Sequence, residues 1–471
     1  MKKTISPRFW IARAAAVVSL FCFCAGGRAE VPTYTVEQGV ALADAQNPEI
    51  VIARKKIEAA RGDFISARSG YLPSVISNGF YDQRQHQGGT RLRDEDYNAT
   101  MRAQENVYTG GATSNQVAIA RLNIDKQDCE FREISNRVAM DVRIAFYELL
   151  LNRSKVKVRQ DSVGVLEQEL KSQKQRFDAG LVGAINVRRA EVALANERPE
   201  LINAQTQLKN SYLRLGELFG MDFQTDPDQP RFEVGGQLQY VSSRPDLNAC
   251  LARADVSRPE IQARQRDVEI EERQYLVDRS ELLPHVEVFS AYEVYSERDP
   301  EVGQEFNYGY LVGVDATWHL FDGFATKGKM QATRARRESG LQALKAARLS
   351  VSSEVRSAFL DLQQAENVLE SETKNVQTAD ETLEIAKANA DAGLGTQLDI
   401  LQAASDVTRT RTTRLSAIYL HNAALARLAR ACASSPDALD FGSTSMNKTT
   451  KRRGEAQAVG LTSPPSKLSQ R

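Results

Sequence analysis

The chain has 471 residues, 61 of them basic and 61 acidic, so its formal net charge is zero; 42% are hydrophobic and only 7% aromatic. That length can bury a substantial core, and 14 prolines argue against wholesale disorder. A neutral chain without a long basic block excludes a dedicated nucleic-acid binder, and without a run of about 18 apolar residues no helix is built to span a bilayer.

Lys2, Lys3 and Arg8 precede an apolar run from Ala14 to Gly26, and Gly27-Arg28-Ala29 puts small residues before Glu30. This is the layout of a secretory signal peptide over residues 1–29, with a core too short for a spanning helix. Cys24 follows Phe21-Cys22-Phe23, whereas a lipidated cysteine follows small residues, so it reads as part of that core. The leader carries five basic and no acidic residues, which leaves 56 against 61, a net of −5, for the rest. Cys129, Cys250 and Cys432 then remain, too sparse for a disulfide framework and without zinc spacing; one disulfide or three thiols both fit.

Beyond the leader the chain repeats once. Asn47-Pro48-Glu49-Ile50 returns as Arg258-Pro259-Glu260-Ile261 and Leu72-Pro73 as Leu283-Pro284, both at an offset of 211. Gly110-Gly111-Ala112-Thr113 returns as Gly323-Phe324-Ala325-Thr326 and Ala179-Gly180-Leu181 as Ala392-Gly393-Leu394, now at 213. Residues 30–246 thus form a first repeat and 247–433 a second, with a polar, aperiodic and disordered tail over 434–471. Each repeat predicts a helix, a strand pair (about 73–109 and 284–321), a long helix to the glycine break, and a return helix.

The long helices show in heptad spacing. Val351, Val355, Ala358, Leu362, Ala365 and Leu369 step by 4, 3, 4, 3 and 4, and Val138, Val142, Ala145 and Leu149 match them 213 positions earlier. Small residues on such a seam suit close packing of several helices, and about 70 residues at about 1.5 Å each make a rod of roughly 100 Å. Between Leu-Pro and the Gly-rich turn the period becomes two. Tyr308, Tyr310, Val312, Val314, Ala316, Trp318 and Leu320 share one face, and Tyr97, Ala99, Met101, Ala103 and Val107 form a weaker counterpart. Long strands with one apolar and one polar face suit a membrane barrel, but four strands cannot close one and open edges are forbidden in lipid. Three copies would supply twelve strands. The fold class expected is mainly α with membrane β.

The order of these landmarks, together with Tyr34-Thr35-Val36-Glu37, Arg176-Phe177-Asp178-Ala179-Gly180 and Asp399-Ile400-Leu401-Gln402-Ala403, resembles the TolC-like outer-membrane efflux protein family of Gram-negative bacteria. The resemblance spans roughly Tyr34 to Ala433. It implies a homotrimer with long antiparallel helical hairpins forming a periplasmic α-helical barrel, and a twelve-stranded β-barrel set in outer-membrane lipid. It further implies a periplasmic adaptor (membrane fusion) protein and an inner-membrane ABC or proton-driven transporter as partners, with no nucleic acid. Asn186 departs from the pattern, standing where the second repeat has Asp399.

The glycine breaks Gly180-Leu181-Val182-Gly183 and Gly393-Leu394-Gly395-Thr396 should lie at the periplasmic tip, where glycine ends a helix through a left-handed cap. By resemblance these turns also meet the adaptor. Asp178 and Asp391 precede the tip glycines by two residues, and a carboxylate there opposes the helix dipole. Acids in that position twice suggest a ring at the periplasmic entrance, with Glu384 a weaker member. No catalytic, cofactor-binding or metal-binding set is expected. His86, His285, His319 and His421 are scattered, and no phosphate-binding GxxxxGK[ST] loop occurs. The function expected is an exit duct, type I protein secretion slightly favoured over small-molecule efflux; the alternative is a non-conducting periplasmic helical scaffold or adhesin.

Overall fold

The computed structural model describes residues 32–83, 95–221, 232–243, 245–296 and 306–434. The expected leader, the expected tail beyond Ser434 and most of the two polar strand-to-strand loops lie outside the described residues.

The first half contains β1 (Thr33–Tyr34), α1 (Val36–Gln46), α2 (Pro48–Arg68), β2 (Ser74–Gln83), β3 (Glu95–Tyr108), α3 (Ala112–Asp178) and α4 (Ala184–Leu218). After β4 (Glu233–Val234) the order returns as α5 (Leu247–Ser257), α6 (Pro259–Ser280), β5 (His285–Ser296), β6 (Phe306–Thr317), α7 (Ala325–Asp391) and α8 (Gln397–Ala431). Tyr34, the first residue of the landmark Tyr34-Thr35-Val36-Glu37, belongs to β1, and its carbonyl accepts from Gly235 N at 2.9 Å. The helix waits for Thr35, whose hydroxyl and backbone N–H exchange hydrogen bonds with Gln38 in a capping box. β1 and β4 form a small parallel pair that periodicity did not reveal.

α3 and α7 have 67 residues each, about 100 Å of helix. Alongside each, a return helix and a shorter helix stack end to end: α4 then α2 along α3, and α8 then α6 along α7. Gly220 makes one of these junctions possible. It has φ +73°, and a Cβ there would lie 2.6 Å from the Gln46 carbonyl oxygen, so only glycine fits.

The core has two centres related by the duplication. The first is built on Ile50, Val142, Ala145, Leu149 and Leu215, the second on Ile261, Val355, Ala358, Leu362 and Leu428. Burying each valine, leucine or isoleucine among them contributes roughly 1.5–3 kcal/mol. These clusters therefore fix the girth of the helical part midway along its length.

β2, β3, β5 and β6 form one antiparallel sheet in that order. A register shift between Asn106 and Tyr108 marks a bulge, which removes Val107 from the alternation read in the sequence. β6 ends at Thr317, so Trp318 and Leu320 lie beyond the strand, with the Trp318 indole N–H donating to the Leu282 carbonyl at 3.1 Å.

Candidate functional site

The sheet sorts most of its side chains between its two faces. Directly paired residues share a face, so Ala99, Val294 and Tyr308 lie together, as do Met101, Tyr292 and Tyr310. This face is apolar and open: Tyr310 is 84% exposed and Val314 67%. An apolar surface of this extent, left to water, marks a lipid or protein contact. The opposite face carries Thr100 with Glu293, Asn106 with Glu287, and Glu287 with Asp315.

One positive charge stands among those acids. Arg102 Nη2 donates to Glu287 Oε1 at 2.9 Å, and its guanidinium sits 4.2 Å from the Phe289 ring centre. Phe289 lies over Gly313, its cross-strand partner, where an added Cβ would be 2.6 Å from the ring. The glycine lets the ring lie flat, and the ring in turn holds the guanidinium against the sheet. Sequence reasoning missed the stack, because Gly313 and Phe289 belong to different strands.

β2 and β6 each pair on one side only, leaving two edges of free backbone donors and acceptors among the described residues. No described helix is long and apolar enough to cross a membrane. Among the described residues the sheet is the part patterned for lipid.

The other end of the long helices holds the two glycine turns. Each closes α3 or α7 with the same pair of bonds: Leu181 N to Arg176 O and Gly180 N to Phe177 O, both 2.8 Å, then Leu394 N to Asn389 O (2.8 Å) and Gly393 N to Ala390 O (3.1 Å). Gly180 (φ +75°) and Gly393 (φ +76°) supply the left-handed residue this cap requires. The turns differ afterwards. α8 starts with a capping box in which Thr396 and Asp399 bond reciprocally, and the bonds from the Thr396 backbone and hydroxyl hold the Asp399 carboxyl below the usual range. α4 starts at Gly183 with no side-chain cap.

The structure brings the two turns together. Gln397 Nε2 donates to the Asn186 carbonyl at 3.0 Å, and Arg176 Nη2 lies 3.5 Å from Asp391 Oδ1. Asp178 and Glu384 are exposed, with Asp178 the last residue of α3. Asp391 thus faces an arginine, so carboxylates gathered here would carry Arg176 with them. Leu181 and Leu394 project from the two turns at 75% and 84% exposure. Val182 is half-buried, whereas Gly183 and Thr396 are open.

Sequence reasoning also missed a charged knot near the second core. Arg258, 1% exposed, donates to Glu354 Oε2 at 2.8 Å and lies 3.6 Å from Glu133, while Arg430 bonds both glutamates at 3.1 and 2.7 Å. The substitution of Arg258-Pro259 for Asn47-Pro48 was its only signal. Among the described residues no group of three or more His, Cys, Asp or Glu can hold a metal ion.

A sheet patterned for lipid on one face, carried on a long bundle of paired helices, defines an outer-membrane channel protein whose large helical part is periplasmic. The profile of the family described as "Outer membrane efflux protein" matches residues 40–221 and 250–434, and the chain belongs to that family, one of channels rather than enzymes. Protein CyaE of Bordetella pertussis is 24% identical over 400 residues, 84% of this chain and 83% of the relative. Outer membrane protein TolC of Vibrio cholerae is 21% identical over 365 residues, 76% of this chain and 81% of the relative. The crystal structure of the Campylobacter jejuni CmeC outer membrane channel shares the fold, with a TM-score of 0.73 at 13% identity over 90% of this chain and 89% of that one.

Proposed function

We propose that three copies of this chain close into a twelve-stranded outer-membrane barrel continued by a periplasmic helical barrel, forming an exit duct. One observation carries this reading: the sheet is apolar on its outer face yet ends in two unpaired edges. In lipid each unsatisfied backbone group costs several kcal/mol, so β2 and β6 must find partners in neighbouring copies. Residues 1–29 are read as the removed leader, 30–246 and 247–433 as the two repeats, and 434–471 as a tail.

Gly180 to Gly183 and Gly393 to Thr396 then lie at the periplasmic mouth. Their exposed leucines suit docking by an adaptor protein that couples the duct to an inner-membrane transporter. Asp178 and Asp391, with Glu384 further up α7, give that mouth a carboxylate rim that Arg176 partly neutralises. Type I protein secretion is favoured over small-molecule efflux by the reading of Cys24 as leader core rather than lipid anchor, and by the polar tail.

Outer membranes solubilised without heating test the duct. A band at three times the monomer mass, and stable conductance steps from it in planar bilayers, are expected. A monomer, or a protein washed off without detergent, would refute the assembly. Loss of exported protein without altered drug susceptibility on gene deletion checks the substrate class.

A further inference from the structure

The duplication places one chemically distinctive pair. In the first half Gly39 faces Phe219: a Cβ on Gly39 would lie 3.0 Å from the ring carbon Cζ. The matching positions, 211 and 213 residues on, are Cys250 and Cys432. Both are thiols, both are 0% exposed, and both belong to the second core cluster. The matching contact in the first half and this shared cluster set the two thiols close together, and that proximity, with burial, pushes the Cys432 thiol up. Cys129 has other company, its sulfur accepting from Arg132 Nη2 at 3.2 Å.

The pair closes a strap. The segment leading into α5 is fastened to α8 by Asn422 Nδ2, which donates to the Gln239 carbonyl, and by His421 Nε2–H, which donates to the Val241 carbonyl, both at 2.8 Å. Cys250 follows Val241 by nine residues and Cys432 follows His421 by 11, so both sulfurs lie beyond these two bonds along their own segments.

We propose that Cys250 and Cys432 form an intramolecular disulfide in the mature protein, locking the strap to the end of α8. An outer-membrane protein folds in an oxidising compartment, where such bonds persist. One cysteine thiolate attacks the disulfide of a periplasmic thiol oxidant, giving a mixed disulfide. The second cysteine then displaces the oxidant's thiolate. The two thiols lose two protons and two electrons, and the oxidant leaves as the dithiol. The bond forms before the core shuts, since both sulfurs are sealed in the folded chain.

Thiol counting tests this independently of conduction. Outer membranes are quenched in acid, denatured, and alkylated before or after reduction, and the chain is weighed. One alkylated cysteine before reduction and three after are expected, with peptides containing Cys250 and Cys432 joined. Three before reduction, or a crosslink that includes Cys129, overturns the proposal. Cys129→Ser should leave no alkylatable thiol before reduction. A double variant, Cys250→Gly with Cys432→Phe, installs the first half's pair. Reductant should lower the heat resistance of the wild type but not of this variant; equal sensitivity, or none in either, counts against the lock.

Discussion

Asn47 and Arg258 hold the same post in the two halves with different chemistry. Each precedes the proline that opens a helix, and each reaches to the C-terminus of the return helix stacked below. Asn47 Nδ2 donates to the Leu218 carbonyl at 2.9 Å, and Arg258 Nη1 to the Arg430 carbonyl at 2.5 Å. Asn47 Oδ1 also caps α2 through Glu49 N, while Arg258 brings a charge to the negative end of α8 and, with Arg430, neutralises Glu133 and Glu354.

The two posts should therefore respond unequally to truncation. Asn47→Ala removes a cap and costs about 1 kcal/mol. Arg258→Ala leaves two partly exposed carboxylates to Arg430 alone and costs roughly 2–3 kcal/mol, less than a fully buried pair would. The temperature at which the folded form unfolds on gels measures both, and Arg258→Ala should shift it further. Equal shifts would show that the knot contributes nothing beyond the cap.

Acid should loosen one tip before the other. The native Asp399 carboxyl titrates below the ordinary value of about 3.9, so its capping contribution is complete above that pH and fades as pH falls through the lower native value. α4, which begins with Gly183 and carries Asn186 in the corresponding place, has no such group. Amide exchange at residues 397–400, corrected for intrinsic rates, should rise as pH falls below about 4. Exchange at residues 184–187 should not change.

Conduction should report the stack on the polar face of the sheet. Arg102→Gln removes the positive charge seated beside Glu287 and should increase cation preference in bilayer recordings, whereas Glu287→Gln should reduce it. Asp391→Asn at the mouth should reduce it as well, by a smaller step because Arg176 already faces that carboxylate. Unchanged reversal potentials in all three would remove these residues from the path.

Gly313→Val pushes a side chain into the space that the Phe289 ring occupies. The ring must swing off the sheet, and smaller unitary conductance with normal folding is the expected result.

At the tips, Gly183 is open, whereas a Cβ on Gly395 would sit 3.1 Å from the Ala390 nitrogen. Gly183→Trp should abolish export with assembly intact. Gly395→Trp should also strain the turn itself, visible as a lower unfolding temperature.

Much of this arrangement was legible because it is periodic. Val351 to Leu369 announces its helix by spacing alone, and Tyr308 to Ala316 its strand. The weaker first strand pair was harder to read, since Ser77 and Gly79 interrupt the apolar face of β2 and the bulge at Val107 breaks alternation in β3. Sites assembled from remote segments left almost no linear trace. The Arg258 knot joins residues from Glu133 to Arg430, and Phe289 needs a glycine from the next strand; neither juxtaposition follows from any local pattern. The tip turns fall between these cases. Glycine marked them, but only the folded chain pairs Arg176 with Asp391.

The identical lengths of α3 and α7 make the two tips a matter of levelling. Removing one heptad from α3 alone would keep its seam in phase yet withdraw its turn by about 10 Å. Gln397 would then lose Asn186, and the mouth would become a sawtooth of high and low turns. Removing the same heptad from both helices keeps the rim flat and only shortens the reach. Length changes in this protein should therefore be tolerated as matched pairs along the helices and singly only among the strands, where the offset between the halves does shift, from 211 to 213.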